Sequence, residues 1–171
     1  MFNIEVLDMK TAMERVQKKP PTRLISLLDI NSPVRSFGPH HLMMYMTDIV
    51  ELPEWATSPY LHSTKRPVLP SKQHLSMAFK FTRDLTDQDD LLIHCWAGKS
   101  RSAAIAIGVL IQHGMAPEDA FDHIASIRPQ MIPNHLVIRL IDDFFDLKSA
   151  LIHFHTQWDA DRIEASAIFN K

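Results

Sequence analysis

Hydrophobic positions along the chain follow two periods. Phe2, Ile4 and Val6 alternate with polar neighbours, so Phe2 to Leu7 is expected as a strand. A short polar helix follows from about Met9 to Lys18, and Pro20 and Pro21 stop it. Arg23 to Leu28 is a compact apolar run suited to a buried parallel strand, with Asp29 at its C-terminal end. Asn31, Ser32, Pro33, Gly38 and Pro39 make a loop before a third strand, His41 to Met46, which ends at Thr47 and Asp48. The run Leu42 to Met46 reads as sheet core. Pro53, Pro59, Pro67 and Pro70 forbid a continuous helix or central strand, so 51–70 is expected as a long surface loop.

Ser71 can cap a helix to about Leu85, with Leu75, Ala78, Phe79 and Leu85 on one side. Leu91 to His94 is the fourth strand. Lys99 to His113 follows as a helix, uniformly apolar from Ala103 to Ile111 and so enclosed on most sides. Pro117 opens the next helix, expected to bury Ala120, Phe121, Ile124 and Ile127. Asn134 caps another, presenting Leu136, Val137, Leu140, Ile141 and Phe144, with room to continue toward His155. Thr156 to Lys171 is read as a shorter terminal helix or a loose tail.

Strands alternating with helices give an α/β fold: a mostly parallel central sheet of four to five strands flanked by helices. The ten residues from Ile30 to Pro39 are few for a parallel crossover, which leaves the topology around strand three open. At 171 residues one core is expected, so 1–171 is read as a single domain. Eighteen Lys and Arg against twenty Asp and Glu leave a formal charge of −2, which argues against a nucleic-acid partner. Ala103 to Ile111, the longest uncharged apolar stretch, is about half of the roughly 20 residues a membrane span needs. No membrane partner is expected, and Glu5 and Asp8 sit where a signal peptide would be basic and apolar, so the protein is read as cytoplasmic.

The single cysteine, Cys95, excludes an internal disulfide and any multi-cysteine zinc site. It lies in His94-Cys95-Trp96-Ala97-Gly98-Lys99-Ser100-Arg101-Ser102, with a strand behind and a helix ahead. A backbone turning from strand to helix over this length can aim its N–H groups at one tetrahedral oxyanion, so Trp96, Ala97, Gly98, Lys99, Ser100 and Arg101 are candidate phosphate binders. Gly98 supplies the tight turn, and the planar fork of Arg101 can grip two oxygens. The same donors favour thiolate over thiol at Cys95, which makes it a candidate nucleophile. Ser102 can hydrogen-bond the sulfur, and His94 is expected to order the loop rather than transfer protons.

The segment His-Cys-x-x-Gly-x-x-Arg-Ser resembles the signature of the cysteine-dependent protein tyrosine phosphatases, and the chain length looks like their compact dual-specificity-like branch. The resemblance covers roughly residues 23 to 145 and includes Arg128-Pro129 followed by Pro133-Asn134, similar to a turn between two C-terminal helices of that family. It implies a tyrosine-phosphatase-like fold with Cys95 as nucleophile, Arg101 as phosphate-binding arginine and Ser102 as the hydroxyl that helps the sulfur leave. It also implies an aspartate acid upstream of the cysteine, hydrolysis through a phosphocysteine, and neither cofactor nor metal. The implied partner is a phosphotyrosine protein or a small phosphomonoester.

Active sites of parallel sheets lie beyond the C-terminal strand ends. Asp87, Asp89 and Asp90 precede the fourth strand and face the wrong edge. Asp29 and Asp48 follow strands, and Asp48 is preferred because it opens the loop where the family places its acid. Trp55, Tyr60 and Trp96 are candidate walls of a pocket, and Lys65-Arg66 reads mainly as a solvated charge pair. The alternatives are a rhodanese-type sulfurtransferase, a non-catalytic phosphate-binding module, and a phosphatase of phosphoinositides or small metabolites. Lys99, the only basic loop residue besides Arg101, argues against the phosphoinositide reading.

Overall fold

The computed structural model of the chain describes residues 1–57 and 66–169, with side chains up to residue 165. The expectations placed on Pro59, Tyr60 and Lys65 lie outside the described residues. Strands β1 (Asn3–Asp8), β2 (Arg23–Leu28), β3 (His41–Tyr45) and β4 (Asp90–Cys95) form one sheet in the order β1-β4-β2-β3, and every neighbouring pair is parallel. Because all strands run the same way, Asp8, Asp29, Thr47, Asp48 and Cys95 gather at one edge of the sheet. The short link between β2 and β3 makes its parallel return without a helix, which settles the topology around the third strand.

Helix α1 (Met9–Lys18) covers one face of the sheet, where Ala12 and Val16 pack on Leu24 and Leu92. Its N-terminus is capped by Asp8, whose carboxylate accepts from the Thr11 N–H at 3.0 Å and is thereby held below the usual aspartate range. The opposite face carries α2 (Lys72–Thr82), α3 (Arg101–Gln112), α4 (Pro117–Ile127) and α5 (His135–Phe145), with α6 (Ala150–Phe169) packed on α4 and α5. Residues Ala103 to Leu110 of α3 are all fully buried, as their uniform apolarity demands. Removing a side chain such as Leu110 there would cost about 2–5 kcal/mol.

Several sequence expectations are corrected. Ile127 is exposed, because α4 ends there and the chain leaves toward Pro129. On α5 the buried face is Val137, Ile138 and Ile141, with Phe145 packed on the core; Phe144 is exposed and meets the rings of Phe79 and Phe145 edge-on, each at 5.1 Å. Tyr45 is also exposed, since β3 is the sheet edge, while Met44 and Met46 are buried. α5 does not run on toward His155. Asp146 is left-handed (φ 52°), and the chain turns so that the buried Asp142 carboxylate accepts from the N–H groups of Ser149 and Leu151 at 2.9 and 3.0 Å. That cap starts α6, so the supposed tail from Thr156 belongs to a 20-residue helix. The 51–70 stretch is not wholly irregular either, since Glu54–Thr57 form a 3-10 turn.

Candidate active site

The segment between β4 and α3 is held from outside through its carbonyl groups. Trp96 O accepts from the Met9 N–H at 3.2 Å, and Lys99 O from the Ile132 N–H at 2.8 Å. Arg128 donates through Nη2 to Ala97 O at 3.1 Å and through Nε to Gly98 O at 2.8 Å. Ser100 O accepts from the Asn134 N–H at 3.4 Å and, as the first bond of α3, from the Ala104 N–H at 3.0 Å. Each carbonyl from Trp96 to Ser100 is thus engaged, whereas among the described residues none accepts from the backbone N–H groups of Trp96 to Arg101. A loop in this state is a cradle of unspent donors at a helix N-terminus, the arrangement that binds oxyanions. Gly98 makes it possible: its φ is +64°, and a Cβ there would collide with the Leu7–Asp8 backbone.

Cys95 ends β4 with only 1% of its surface exposed, and its Sγ lies 3.2 Å from Ser102 Oγ. Arg101, 3% exposed, uses Nη1 to join the ends of two strands, donating to Met46 O at 2.7 Å and to Asp29 Oδ1 at 3.2 Å. Among the described residues its buried Nε has no hydrogen-bond partner, with Asp48 Oδ2 at 3.9 Å. A guanidinium is planar, so once Nη1 is spent the edge carrying Nε and Nη2 is what remains for a ligand. A buried unsatisfied donor costs stability, and an arriving oxyanion would remove that cost.

Asp48 stands at the same place from another direction. The Ile49 N–H bonds back to Thr47 O at 2.9 Å, and Thr47 is tied to Val68 by two bonds of 2.7 and 3.0 Å. This turn puts Asp48 Oδ1 within reach of Ser100 Oγ (2.6 Å) and Asn134 Nδ2 (2.8 Å), both donating to it. Cys95, Arg101, Ser102, Asp48 and the second aspartate, Asp29, are therefore one cluster, although 72 residues separate Asp29 from Arg101. Asp90 pairs with Asn3 at the far end of the ladder, on the edge the sequence had excluded.

His94 is fully buried, and burial chiefly pushes its pKa down to about 4. Its Nδ1 faces the Cys95 carbonyl at 3.5 Å, which suits an ordering role. A cleft of about 400 Å³ beside the loop is lined by Leu28, Asp29, Thr47, Trp55 and Trp96, and Trp96 is 68% exposed. Sequence reasoning missed the parts played by Asn134 and Arg128, which it saw only as a cap and a turn. It also missed Ser26 and His41, which contact His94 directly or through one hydroxyl. The available signal was Ser26 itself, a polar residue inside an otherwise apolar central strand.

Comparison with known proteins places this arrangement among relatives. The family described as dual specificity phosphatase, catalytic domain, matches residues 59–145, half of the chain. Dual specificity protein phosphatase 1 of Arabidopsis thaliana is 33% identical over 90 residues, covering 49% of this chain and 46% of that protein. Phosphatidylglycerophosphate phosphatase PTPMT2 of the same plant is 35% identical over 60 residues, 34% of this chain and 26% of that one. These alignments span less than half the length of either relative. In fold, human DUSP28 matches with a TM-score of 0.61 at 18% identity, over 86% of this chain and 90% of that one. DUSP15 matches with 0.61 at 17% identity, over 94% and 92%. With the strand–cradle–helix unit, its cysteine and its arginine in place, the chain belongs to the dual specificity phosphatase catalytic-domain family.

Proposed function

We propose that this protein is a cysteine-dependent phosphatase that hydrolyses phosphomonoesters through a phosphocysteine. The observation that carries this reading is the cradle: five carbonyls with donors from elsewhere in the chain, backbone N–H groups with no acceptor among the described residues, and the buried Arg101 Nε beside them. Three negatively charged phosphoryl oxygens would take up those donors, with the Nε and Nη2 edge of Arg101 gripping two of them. The Cys95 thiolate attacks phosphorus opposite the ester oxygen, the P–O bond breaks, and the departing oxygen takes a proton from Asp48.

Asp48 suits the acid role by geometry. Its Oδ1 accepts two hydrogen bonds, which leaves Oδ2, the atom toward Arg101, to carry and deliver the proton. Asp29, by contrast, is engaged in orienting Arg101. In the second half, water attacks the phosphocysteine, Asp48 now takes its proton, and the Ser102 hydroxyl stabilises the departing sulfur from 3.2 Å. The residues form one catalytic domain in this reading. The cleft walled by Trp55 and Trp96 accommodates the organic part of the ester, and an aromatic phosphate such as phosphotyrosine fits between such walls.

The test is turnover of an aryl phosphate in the presence of a chelator, with Cys95→Ser as the control. Turnover that survives Cys95→Ser overturns the reading. A following panel of phosphotyrosine peptides, phosphoserine peptides and phosphatidylglycerophosphate vesicles then ranks protein against lipid substrates.

A further inference from the structure

A buried chain of side-chain hydrogen bonds runs on the α1 face of the sheet, beneath the cradle, and the mechanism above uses none of its members. Ser26 lies directly across the β2–β4 ladder from His94 and diagonal to His41 on β3. The Ser26 hydroxyl is 2.6 Å from His94 Nε2 and 2.7 Å from His41 Nε2. At the far end, the Phe37 backbone N–H donates to His41 Nδ1 at 3.1 Å. Ser26 and His94 are fully buried and His41 nearly so, so water does not complete these bonds.

The direction of the chain follows from its first donor. A backbone N–H can only donate, so His41 Nδ1 holds a lone pair and the neutral ring carries its proton on Nε2. Burial keeps His41 neutral, which lowers its pKa. Ser26 therefore accepts from His41 and has one proton left, which goes to His94 Nε2. His94, also neutral, keeps its own proton on Nδ1, opposite the Cys95 carbonyl. The reverse order would set a ring N–H of His41 against the Phe37 N–H. One backbone N–H in the β2–β3 loop thus decides which nitrogen of His94 is protonated.

We infer that Ser26 and His41 are positioning residues for the nucleophile: they hold His94 in its Nδ1-protonated form, so that the ring polarises the Cys95–Trp96 peptide whose N–H opens the cradle. Hydrogen bonds linked in series strengthen one another, and a peptide whose oxygen accepts a bond is a better donor through its nitrogen. The inference rests on Cys95 being the nucleophile, and it assigns the polar residues that orient it. The loop that supplies Phe37 follows Asp29, the partner of Arg101, so β2 and its exit loop act on both halves of the cradle.

Ring-nitrogen NMR of His94 in the ligand-free protein tests this without turnover, and aryl phosphate kinetics are read beside it. The wild type is expected to show the Nδ1-protonated form. His41→Phe frees the Ser26 hydroxyl to accept from His94, so an Nε2-protonated population appears and kcat falls about 3- to 10-fold with little change in KM. His41→Gln, whose amide N–H can donate to Ser26, restores both readouts. Ser26→Ala lowers kcat by a similar factor, and adding His41→Phe to it causes no further loss. An Nε2-protonated His94 in the wild type overturns the inference, as does a loss of kcat in His41→Phe with unmoved His94 signals, or additive losses in the double variant. Because the NMR readout needs no substrate, the tautomer result and the Cys95→Ser control fail separately.

Discussion

The two halves of the site are held by different means. The cradle, Trp96 to Arg101, is contiguous and over-determined: five carbonyls are bonded from outside, a glycine sits at positive φ, and a fully buried helix follows. The segment proposed to carry the acid is a single turn at Asp48, tied by Thr47 to Val68 and by two side-chain donors to one carboxylate oxygen. In the proposed mechanism, a many-bonded anion site beside an acid held by one short turn is a sensible division. The donors must be in place before phosphate arrives, because reorganising them would use binding energy, whereas the acid has to follow the leaving group. The difference also means that damage to the cradle should be general, while damage to the acid should depend on the substrate.

The largest effect is expected from Arg101→Lys. A lysine cannot join Met46 O and Asp29 while presenting a second edge to phosphate, so kcat/KM should fall about 100- to 1,000-fold for every substrate. An equal loss for good and poor leaving groups is the readout that assigns Arg101 to the cradle.

Asp48→Asn sharpens the contrast. Turnover of an alkyl phosphate should fall about 100-fold, and that of a nitrophenyl ester by much less, because only the poor leaving group needs the proton. Asp29→Asn should weaken both alike, through Arg101. The reverse pattern would make Asp29 the acid and Asp48 the support.

Acid should undermine the cradle half through its buried histidines. The folded pKa of His94 is depressed from 6.5 to about 4, and His41 is shifted the same way by burial. The stability tied to the neutral rings is therefore complete above about pH 6.5 and is lost as pH falls toward 4, worth roughly 3 kcal/mol for His94 alone. Denaturant unfolding at pH 7 and pH 5 measures this. A His94→Gln variant should show a smaller difference between the two.

Asn134→Ala gives the smallest effect. It removes the cap of α5 and one donor to Asp48, so stability should drop by about 1 kcal/mol. The activity loss should be confined to poor leaving groups, which matched melting curves and leaving-group series would show.

The strands β2 and β4 and the start of α3 were legible because their signals are local: continuous apolar runs, and a cysteine six positions before an arginine. Asp48 and Asp29 could be placed only as residues at the right edge of a parallel sheet, and their different partners followed from packing. The end of α5 was misread because hydrophobic periodicity carries on past Phe145, while the decision to turn lies with Asp142, whose carboxylate caps the next helix from the turn before. Phe144 and Ile127 were placed inside because a helical stripe does not say where the neighbouring element stops.

By itself, then, the sequence determined an α/β chain with a candidate nucleophile and a candidate anion-binding turn at a strand end, since backbone periodicity and loop chemistry act over a few residues. Tertiary structure alone decided which aspartate meets which donor, and which nitrogen of His94 carries its proton. Those choices depend on hydrogen bonds between residues that the folded sheet brings together from up to 86 positions apart, and no local pattern encodes such a meeting.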